Sequence, residues 1–256
     1  MHDFDDPDIT RFVNGWYRAV RTRQVALRGD LSEEGKKRTM SKAAERAEGE
    51  STRLLEALKG NHSLYRLARN PLILSLIALV HYQRTRLPQG RAKLYQDCLE
   101  ILLKQWDSVD KEMEVKGPSL GAKQTILQEI AYYFHSEGLT EAGREDLEAL
   151  IEPLLPDLDC PTDATETLRQ IEERSGILVS RAIDRYVFAH RTLQEYLVAR
   201  ELASKPEKGA AVLTHLRDEP WREIILLYSG LIGDRATNLV EAILAQQDDE
   251  AHNLLI

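Results

Sequence analysis

Apolar side chains recur at helical spacing near the start of the chain. In residues 8–29 they stand three or four positions apart, which predicts an amphipathic helix with one buried face. That face comprises Ile9, Phe12, Val13, Trp16, Tyr17 and Val20. Residues 31–59 begin with a stretch rich in Glu, Lys, Arg and Ala, and they regain large apolar residues only at Leu54, Leu55 and Leu58. This pattern is typical of either an exposed helix or a loosely held connector.

A proline divides the next helical stretch in two. Pro71 disfavours helical geometry at Asn70 and is itself a favourable first residue of a helix. We therefore expect a short helix over residues 63–69 and a new helix from Pro71. Residues 71–80 are apolar nearly all round, which predicts the most buried helix of this half. A long helix is predicted over residues 91–109, with an inward side that carries Leu94, Tyr95, Cys98, Ile101, Leu102, Gln105 and Trp106.

The pattern changes after Gly117-Pro118, which we interpret as a domain boundary. Three helices are predicted next, then two short strands joined by a polar turn at Asp184, then one more helix that Pro206 ends. This succession of elements is typical of a winged-helix domain. The predicted helices cover residues 120–136, 143–154, 165–174 and 190–204, and the strands cover residues 177–180 and 186–189.

The end of the chain has shorter helical patterns, over residues 210–216, 221–232 and 237–246, and these could begin a helical-repeat array. The sequence thus predicts a mainly α fold in three parts. They are a helical domain over residues 1–116, a winged-helix domain with a short β-hairpin over residues 117–206, and the start of an α-helical repeat-like region over residues 207–256. The chain stops on three apolar residues, 254–256, with no cap or charged tail, so we expect it to be a piece of a longer protein.

Charge argues against two classes of partner. The 256 residues carry a formal net charge of -8, which does not attract phosphate backbones or anionic membranes. A winged helix that reads DNA presents its third helix within a basic surface, but residues 165–174 carry three acidic side chains against two basic ones. No apolar run is long enough to cross a membrane, and the acidic start is unlike a signal peptide. We therefore predict a cytoplasmic protein with no nucleic-acid and no membrane partner.

The sequence contains no complete motif for catalysis or metal binding. Cys98 and Cys160 lack neighbouring Cys or His at metal-ligand spacing, so neither a metal site nor a disulfide is predicted. Gly29 and Gly35-Lys36 are one residue too far apart for a phosphate-binding loop, and acidic residues stand among them. Residues 117–121 match GxSxG, but a charged run replaces the buried strand that a nucleophile elbow needs. No catalytic residue is predicted.

His190 is a candidate anion contact. It follows the second predicted strand directly, at the start of a helix, where unpaired backbone N–H groups and the positive end of the helix dipole favour an anion. The same position also suits a histidine that caps the helix and fills the joint. Spacing alone leaves both interpretations open.

Several segments resemble one family. They are residues 70–74 (NPLIL), Leu87-Pro88 with Arg91, Leu94 and Tyr95, residues 175–178 (SGIL), and residues 188–199 (FAHRTLQEYLVA). In order and approximate spacing they resemble the C-terminal part of the NACHT-type STAND NTPases, the signalling switch ATPases that include bacterial and animal NOD-like receptors. The last string is the most specific of the four.

The resemblance implies a nucleotide site shared with a missing core. By position, Pro71 matches the proline that packs against adenine, and His190 matches the histidine that reaches the β-phosphate of ADP. Gln194, Glu195 and Tyr196 match the family string in structural roles. The phosphate-binding loop and the magnesium-binding acids have no counterpart here, so the chain alone should neither hydrolyse ATP nor bind ADP or ATP tightly.

The implied function is that of a regulatory lid, which holds the ADP-bound resting state of a full-length signalling NTPase in prokaryotic defence or stress signalling. Its implied partners are an N-terminal nucleotide-binding core and, on activation, further copies of the full-length protein. The alternative is an all-helical protein-protein interaction scaffold with no nucleotide ligand.

Overall fold

Helices make up most of the structure, with one small sheet in the second half. The computed structural model describes residues 3–26, 32–113 and 117–245. The chain divides into two compact units, Met1–Cys98 and Leu99–Ile256. Helices α1 to α5 span Asp6–Ala26, Glu33–Lys59, His62–Leu67, Pro71–Arg84 and Arg91–Met113, and α5 contains the division between the units. The predicted mainly α fold is confirmed.

The first unit is built on a pair of long helices, α1 and α2, that pack along one another. The first part of α2 presents small buried residues, Ala43, Ala47 and Ser51, before the larger Leu54 and Leu58. Small side chains let the α1 backbone approach closely, so a segment poor in large apolar residues is nevertheless held firmly. Of the two interpretations of residues 31–59, the helix is right and the loosely held connector is wrong.

Helix α4 begins as predicted. The Asn70 side chain accepts hydrogen bonds from the backbone N–H groups of Leu72, at 2.9 Å, and Ile73, at 3.3 Å, and Pro71 occupies the first turn. An asparagine cap followed by proline fixes the start of a helix because it satisfies donors that have no partner within the helix. The helix supplies much of this unit's core through Ile73, Leu74, Leu76, Ile77, Ala78 and Val80.

Helix α5 corrects one predicted contact. Leu102 was expected to face inward, but it is half-buried and Leu103 is fully buried in its place. Leu99 and Leu103 lie four residues apart and form a second buried row, which widens the apolar face beyond the predicted stripe. The side chains of Gln105 and Trp106 lie outside the described residues.

The second unit contains the predicted winged-helix order with one addition. The elements are α6 (Leu120–Ser136), β1 (Ala142–Gly143), α7 (Arg144–Ile151), α8 (Ala164–Ser175), β2 (Leu178–Ala182), β3 (Arg185–Phe188) and α9 (Arg191–Ser204). The unpredicted β1 pairs antiparallel with β3, which also pairs with β2, so the strand order is β1-β3-β2. Asp184 takes a positive φ of 55° in the tight turn of the hairpin, and its carboxylate accepts a hydrogen bond from Arg144 at 2.6 Å.

Beyond α9 the helices are shorter and partly of the 3-10 type. Helix α9 ends at Ser204, just before Pro206, and Pro206 begins another short helix, α10 (Pro206–Gly209), where its missing N–H is tolerated. A 3-10 helix over Ala210–His215 replaces the predicted α-helix. A further 3-10 turn and the helices α11 and α12 follow, over Glu219–Trp221, Arg222–Ile232 and Ala236–Ala245.

Helix α11 packs against α9, which places the last part of the described chain on the winged-helix core. None of the described helices is long and apolar enough to cross a membrane. The domain limits at residues 116 and 206 stay predictions.

Candidate functional site

Pro71 lies in the first unit, at the start of α4. It is half-buried, with part of its ring accessible, while the α4 residues that follow it turn into the core. The Asn70 cap and the fixed φ of proline hold this position in one conformation. A rigid apolar ring of this kind suits the flat face of a purine.

His190 lies in the second unit, between β3 and α9. Its backbone is extended, with φ of −138° and ψ of 111°, and its carbonyl oxygen accepts hydrogen bonds from the N–H groups of Leu193 and Gln194 at 3.1 and 3.2 Å. Just before it, the N–H of Ala189 donates to the carbonyl of Ile177 at 2.8 Å, which ties the joint to the sheet. The imidazole makes no capping hydrogen bond. Only the backbone of His190 therefore caps α9, and its side chain remains available for another contact.

The His190 imidazole is half-buried, and burial lowers its pKa below the usual 6.5. Burial disfavours the charged ring, so His190 is neutral at pH 7, with one nitrogen that donates and one that accepts. A neutral imidazole at the start of a helix can donate to a phosphate oxygen, and a bound phosphate would raise its pKa again. The arrangement thus fits a nucleotide phosphate better than a metal ion.

The string around His190 anchors α9. Glu195 and Tyr196 are buried, and the guanidinium of Arg191 contacts Glu195 at 2.9 Å. Gln194 is only half-buried. These contacts hold the first turn of α9 against the core of the unit. Because His190 directly precedes that turn, the same packing fixes its position.

The comparison with known families decides the assignment of this segment. Residues 91–202 match the family model described as the winged helix-turn-helix domain C-terminal to NACHT. This segment is a NACHT-associated winged-helix domain. His190 lies inside the matched range and Pro71 lies before it. A search of curated proteins finds no match.

The match confirms the predicted resemblance of this segment to the C-terminal part of NACHT proteins, and it indicates a NACHT-associated regulatory region. It also implies a NACHT core as the N-terminal partner.

The NACHT-associated winged-helix domain borders a cavity of about 750 Å³ that opens beside the first turn of α9. Its walls include Phe134 and His135 of α6, Arg191 and Gln194 of α9, and Trp221 of the segment that follows. The ring of His135 lies edge-on to Trp221 at 4.7 Å, and the ring of His215 stacks on the same indole at 4.0 Å.

His135 is the unusual member of this cavity. Its Nε2 atom is buried and has no hydrogen-bond partner among the described residues. Burial first, and then the nearby charges of Arg191 and His215, lower the pKa of His135 to about 4. The sequence did not point to His135, because a histidine in the last turn of an amphipathic helix gives no signal of burial.

Neither cysteine is among the described residues that line this cavity. Cys98 is buried, its thiol contacts the carbonyl oxygen of Leu76 at 3.7 Å, and burial raises its pKa to about 12. Cys160 stands beside the hydroxyl of Thr162 at 3.4 Å. Among residues 3–26, 32–113 and 117–245, no group of three or more His, Cys, Asp or Glu side chains is arranged to hold a metal ion.

Proposed function

We propose that this chain is the regulatory lid of a NACHT-type signalling NTPase and that it favours the ADP-bound resting state of the full-length protein. The observation that carries the proposal is His190: within a NACHT-associated winged-helix domain, its imidazole stands at the start of a 14-residue helix and leaves the capping to its own backbone. In this role His190 donates a hydrogen bond to the β-phosphate of ADP, and Pro71 lies against the adenine.

The lid acts by differential binding. His190 contacts ADP from a domain separate from the phosphate-binding core, so the contact stabilises only the closed arrangement. Exchange of ADP for ATP removes that preference, releases the winged-helix domain and permits self-association of the full-length protein. The core supplies the phosphate-binding loop and the magnesium ligands, and this chain contributes no catalytic residue. We place the switch in the cytoplasm, in prokaryotic defence or stress signalling.

Nucleic acid is not the ligand in this proposal. On α8, the guanidinium of Arg169 is engaged by two carboxylates, with Glu166 at 2.6 and 2.7 Å and Glu173 at 2.5 Å. A cation already neutralised by neighbouring acids releases few counterions from DNA. A gel shift at physiological salt should show no binding, and tight binding that falls steeply with salt would contradict this part of the proposal.

Titration calorimetry with ADP tests the lid directly. The chain alone should bind ADP weakly, and the chain joined to its NACHT core should bind it tightly. In the joined protein, His190→Ala should weaken binding about tenfold, the size expected for one lost hydrogen bond to a charged group. His62→Ala is the matched control, because His62 is exposed at the start of α3 and has no part in the proposed site.

Proton linkage gives a second measurement. Since burial lowers the pKa of His190 and a phosphate raises it again, ADP binding near pH 6 should take up a proton, and His190→Ala should abolish that uptake. Buffers of different ionisation enthalpy measure it. An unchanged ADP affinity in His190→Ala would refute the role of His190. If the joined protein bound no nucleotide at all, the interaction scaffold would be favoured instead.

A further inference from the structure

A groove runs between α1 and α2 in the first unit, and neither Pro71 nor His190 is among its described lining residues. Its volume is about 960 Å³. Arg21, Gln24 and Val25 of α1 form one wall. The other wall belongs to α2 and comprises Thr39, Lys42, Ala43, Glu45, Arg46, Gly49, Glu50 and Arg53. The groove is therefore lined mainly by charged and small residues.

Most of the positive charge in this groove is not neutralised. Glu50 is bound by Arg21, whose Nε donates to Oε2 at 2.9 Å and whose Nη2 contacts the other carboxylate oxygen. Lys42, Arg46 and Arg53 are exposed and have no ion-pair partner among the described residues. Glu45 is the remaining acid of the lining. Among the described lining residues, three unpaired cations thus stand against one unpaired carboxylate.

The cations lie along one face of α2. Lys42, Arg46, Gly49 and Arg53 are separated by four, three and four residues, which is the repeat of one helical face. Lys42 and Arg53 are eleven residues apart, or about 16 Å along the helix axis. An extended peptide covers that distance with about five residues. A side-chain atom placed on Gly49 would meet nothing within 4 Å, so the middle of the groove is open.

The charge of the groove is opposite to that of the chain. Residues 1–98 contain 18 Lys and Arg against 12 Asp and Glu, a net charge of +6. Residues 99–256 contain 16 Lys and Arg against 30 Asp and Glu, a net charge of −14. A basic groove in a protein of net charge -8 is a local feature and not a consequence of overall composition.

We propose that the α1–α2 groove binds an extended acidic peptide segment whose carboxylates are four to five residues apart. Spaced carboxylates can meet Lys42 or Arg46 at one end and Arg53 at the other while avoiding Glu45. A nucleic acid fits less well, because Glu45 would repel a continuous row of phosphates. In addition, none of the described lining residues is aromatic, so bases have no surface on which to stack.

Fluorescence anisotropy with the full chain tests the groove. The probes are a labelled peptide with Glu at positions one, two, five and six, the same peptide with Gln at those positions, and a single-stranded oligonucleotide of twelve bases. The acidic peptide should bind, and its affinity should fall several-fold between 0.05 and 0.3 M salt, because the contacts are exposed. The Gln peptide and the oligonucleotide should bind at least tenfold more weakly.

Two pairs of variants locate the binding. Arg46→Glu with Arg53→Glu should weaken binding of the acidic peptide at least tenfold. Lys37→Glu with Arg38→Glu changes net charge equally on exposed residues outside the groove and should change affinity less than threefold. Gly49→Glu should weaken binding, and the neutral Gly49→Gln should weaken it much less. A Cβ atom at position 49 meets nothing within 4 Å, and thermal unfolding checks that each variant is folded.

Four results would overturn the proposal. One is absence of peptide binding in low salt. Another is equal loss of affinity in both double variants, which would mean a general charge effect. The third is tighter binding of the oligonucleotide than of the acidic peptide. A dimer that Arg46→Glu with Arg53→Glu abolishes, without binding of free peptide, would also overturn it in favour of a second copy of the chain.

Discussion

The two units differ in whether a buried histidine nitrogen has a hydrogen-bond partner. In the first unit His81 of α4 is buried and its Nδ1 atom lies 2.5 Å from the hydroxyl of Tyr17, which is also fully buried. In the second unit the Nε2 atom of His135 is buried against Trp221 with no hydrogen-bond partner among the described residues. Burial lowers the pKa of both imidazoles. A buried histidine nitrogen thus has a hydrogen-bond partner in the first unit and none among the described residues in the second.

The second unit does satisfy its buried charges. Lys205 and Lys208 both contact Glu129 of α6 and Glu201 of α9, and Lys208 contacts them at 2.9 and 2.7 Å. Burial alone would raise the pKa of Glu129, but the hydrogen bonds from the two lysines hold it below its usual value. In this cluster the buried carboxylates are paired, whereas the buried imidazole nitrogen of His135 is not, which agrees with the larger cost of an unpaired charge.

The largest effect is expected at the ion cluster. Glu201→Ala should lower the free energy of unfolding by about 3 kcal/mol, because it removes a carboxylate that is almost fully buried and leaves two lysines to share Glu129. Calorimetry measures the loss, and native-state hydrogen exchange assigns it to α6 and α9. Glu207→Ala, at an exposed position of α10, should change stability by less than about 0.5 kcal/mol. A similar small change in both variants would show that the cluster contributes little.

The next effect concerns the satisfied histidine. His81→Leu should cost about 2 kcal/mol, because the buried hydroxyl of Tyr17 loses its partner. The double variant Tyr17→Phe with His81→Leu should recover part of that loss, since it removes both polar groups together. Chemical denaturation of the two single variants and the double variant measures the coupling. Additive losses would mean that the hydrogen bond between the two rings is unimportant.

The smallest effect, and the sharpest test of the comparison, is the same substitution at the unsatisfied histidine. His135→Leu should be neutral or stabilise the protein by up to about 1 kcal/mol at pH 7, since it removes a buried nitrogen that has no partner. If it destabilised the protein as much as His81→Leu, the two histidines would not differ.

Lowering the pH should increase the difference in stability between the wild type and His135→Leu. The pKa of His135 is about 4 in the folded protein and about 6.5 when unfolded, so the unfolded state takes up the proton first. Stability should therefore fall as the pH decreases from about 6.5 to 4, and His135→Leu should flatten this dependence. Urea unfolding at several pH values measures it.

Much of the fold follows from short-range rules. The start of α4 was predictable because Asn70 and Pro71 carry the full signal of a helix start within two residues. By contrast, β1 has only two residues and no alternation of apolar and polar positions, so it exists only through its pairing with β3. The burial of Leu103 in place of Leu102 likewise depends on which neighbours approach α5 and not on α5 itself.

The candidate sites divide in the same way. The position of His190 at the start of α9 was predictable, because strand, joint and helix follow each other directly in the sequence. The pair of Tyr17 and His81 is 64 residues apart, and His135 meets Trp221 only after α9 and α10 have turned the chain back. The α1–α2 groove needs both helices in place before Lys42, Arg46 and Arg53 line one surface. Contacts between distant segments carry no local sequence signal.

The two-residue strand β1 has a consequence for the order of folding. Its partners in β3, Tyr186 and Arg185, come more than forty residues later in the chain, after two helices and β2. Closing so long a loop costs entropy before any pairing is gained, whereas the β2–β3 hairpin closes through a turn of two residues. In a pulse-labelling experiment during refolding, amide protons in the β2–β3 ladder should become protected early and those in the β1–β3 ladder late. The β2–β3 hairpin would thus form before β1 pairs with it.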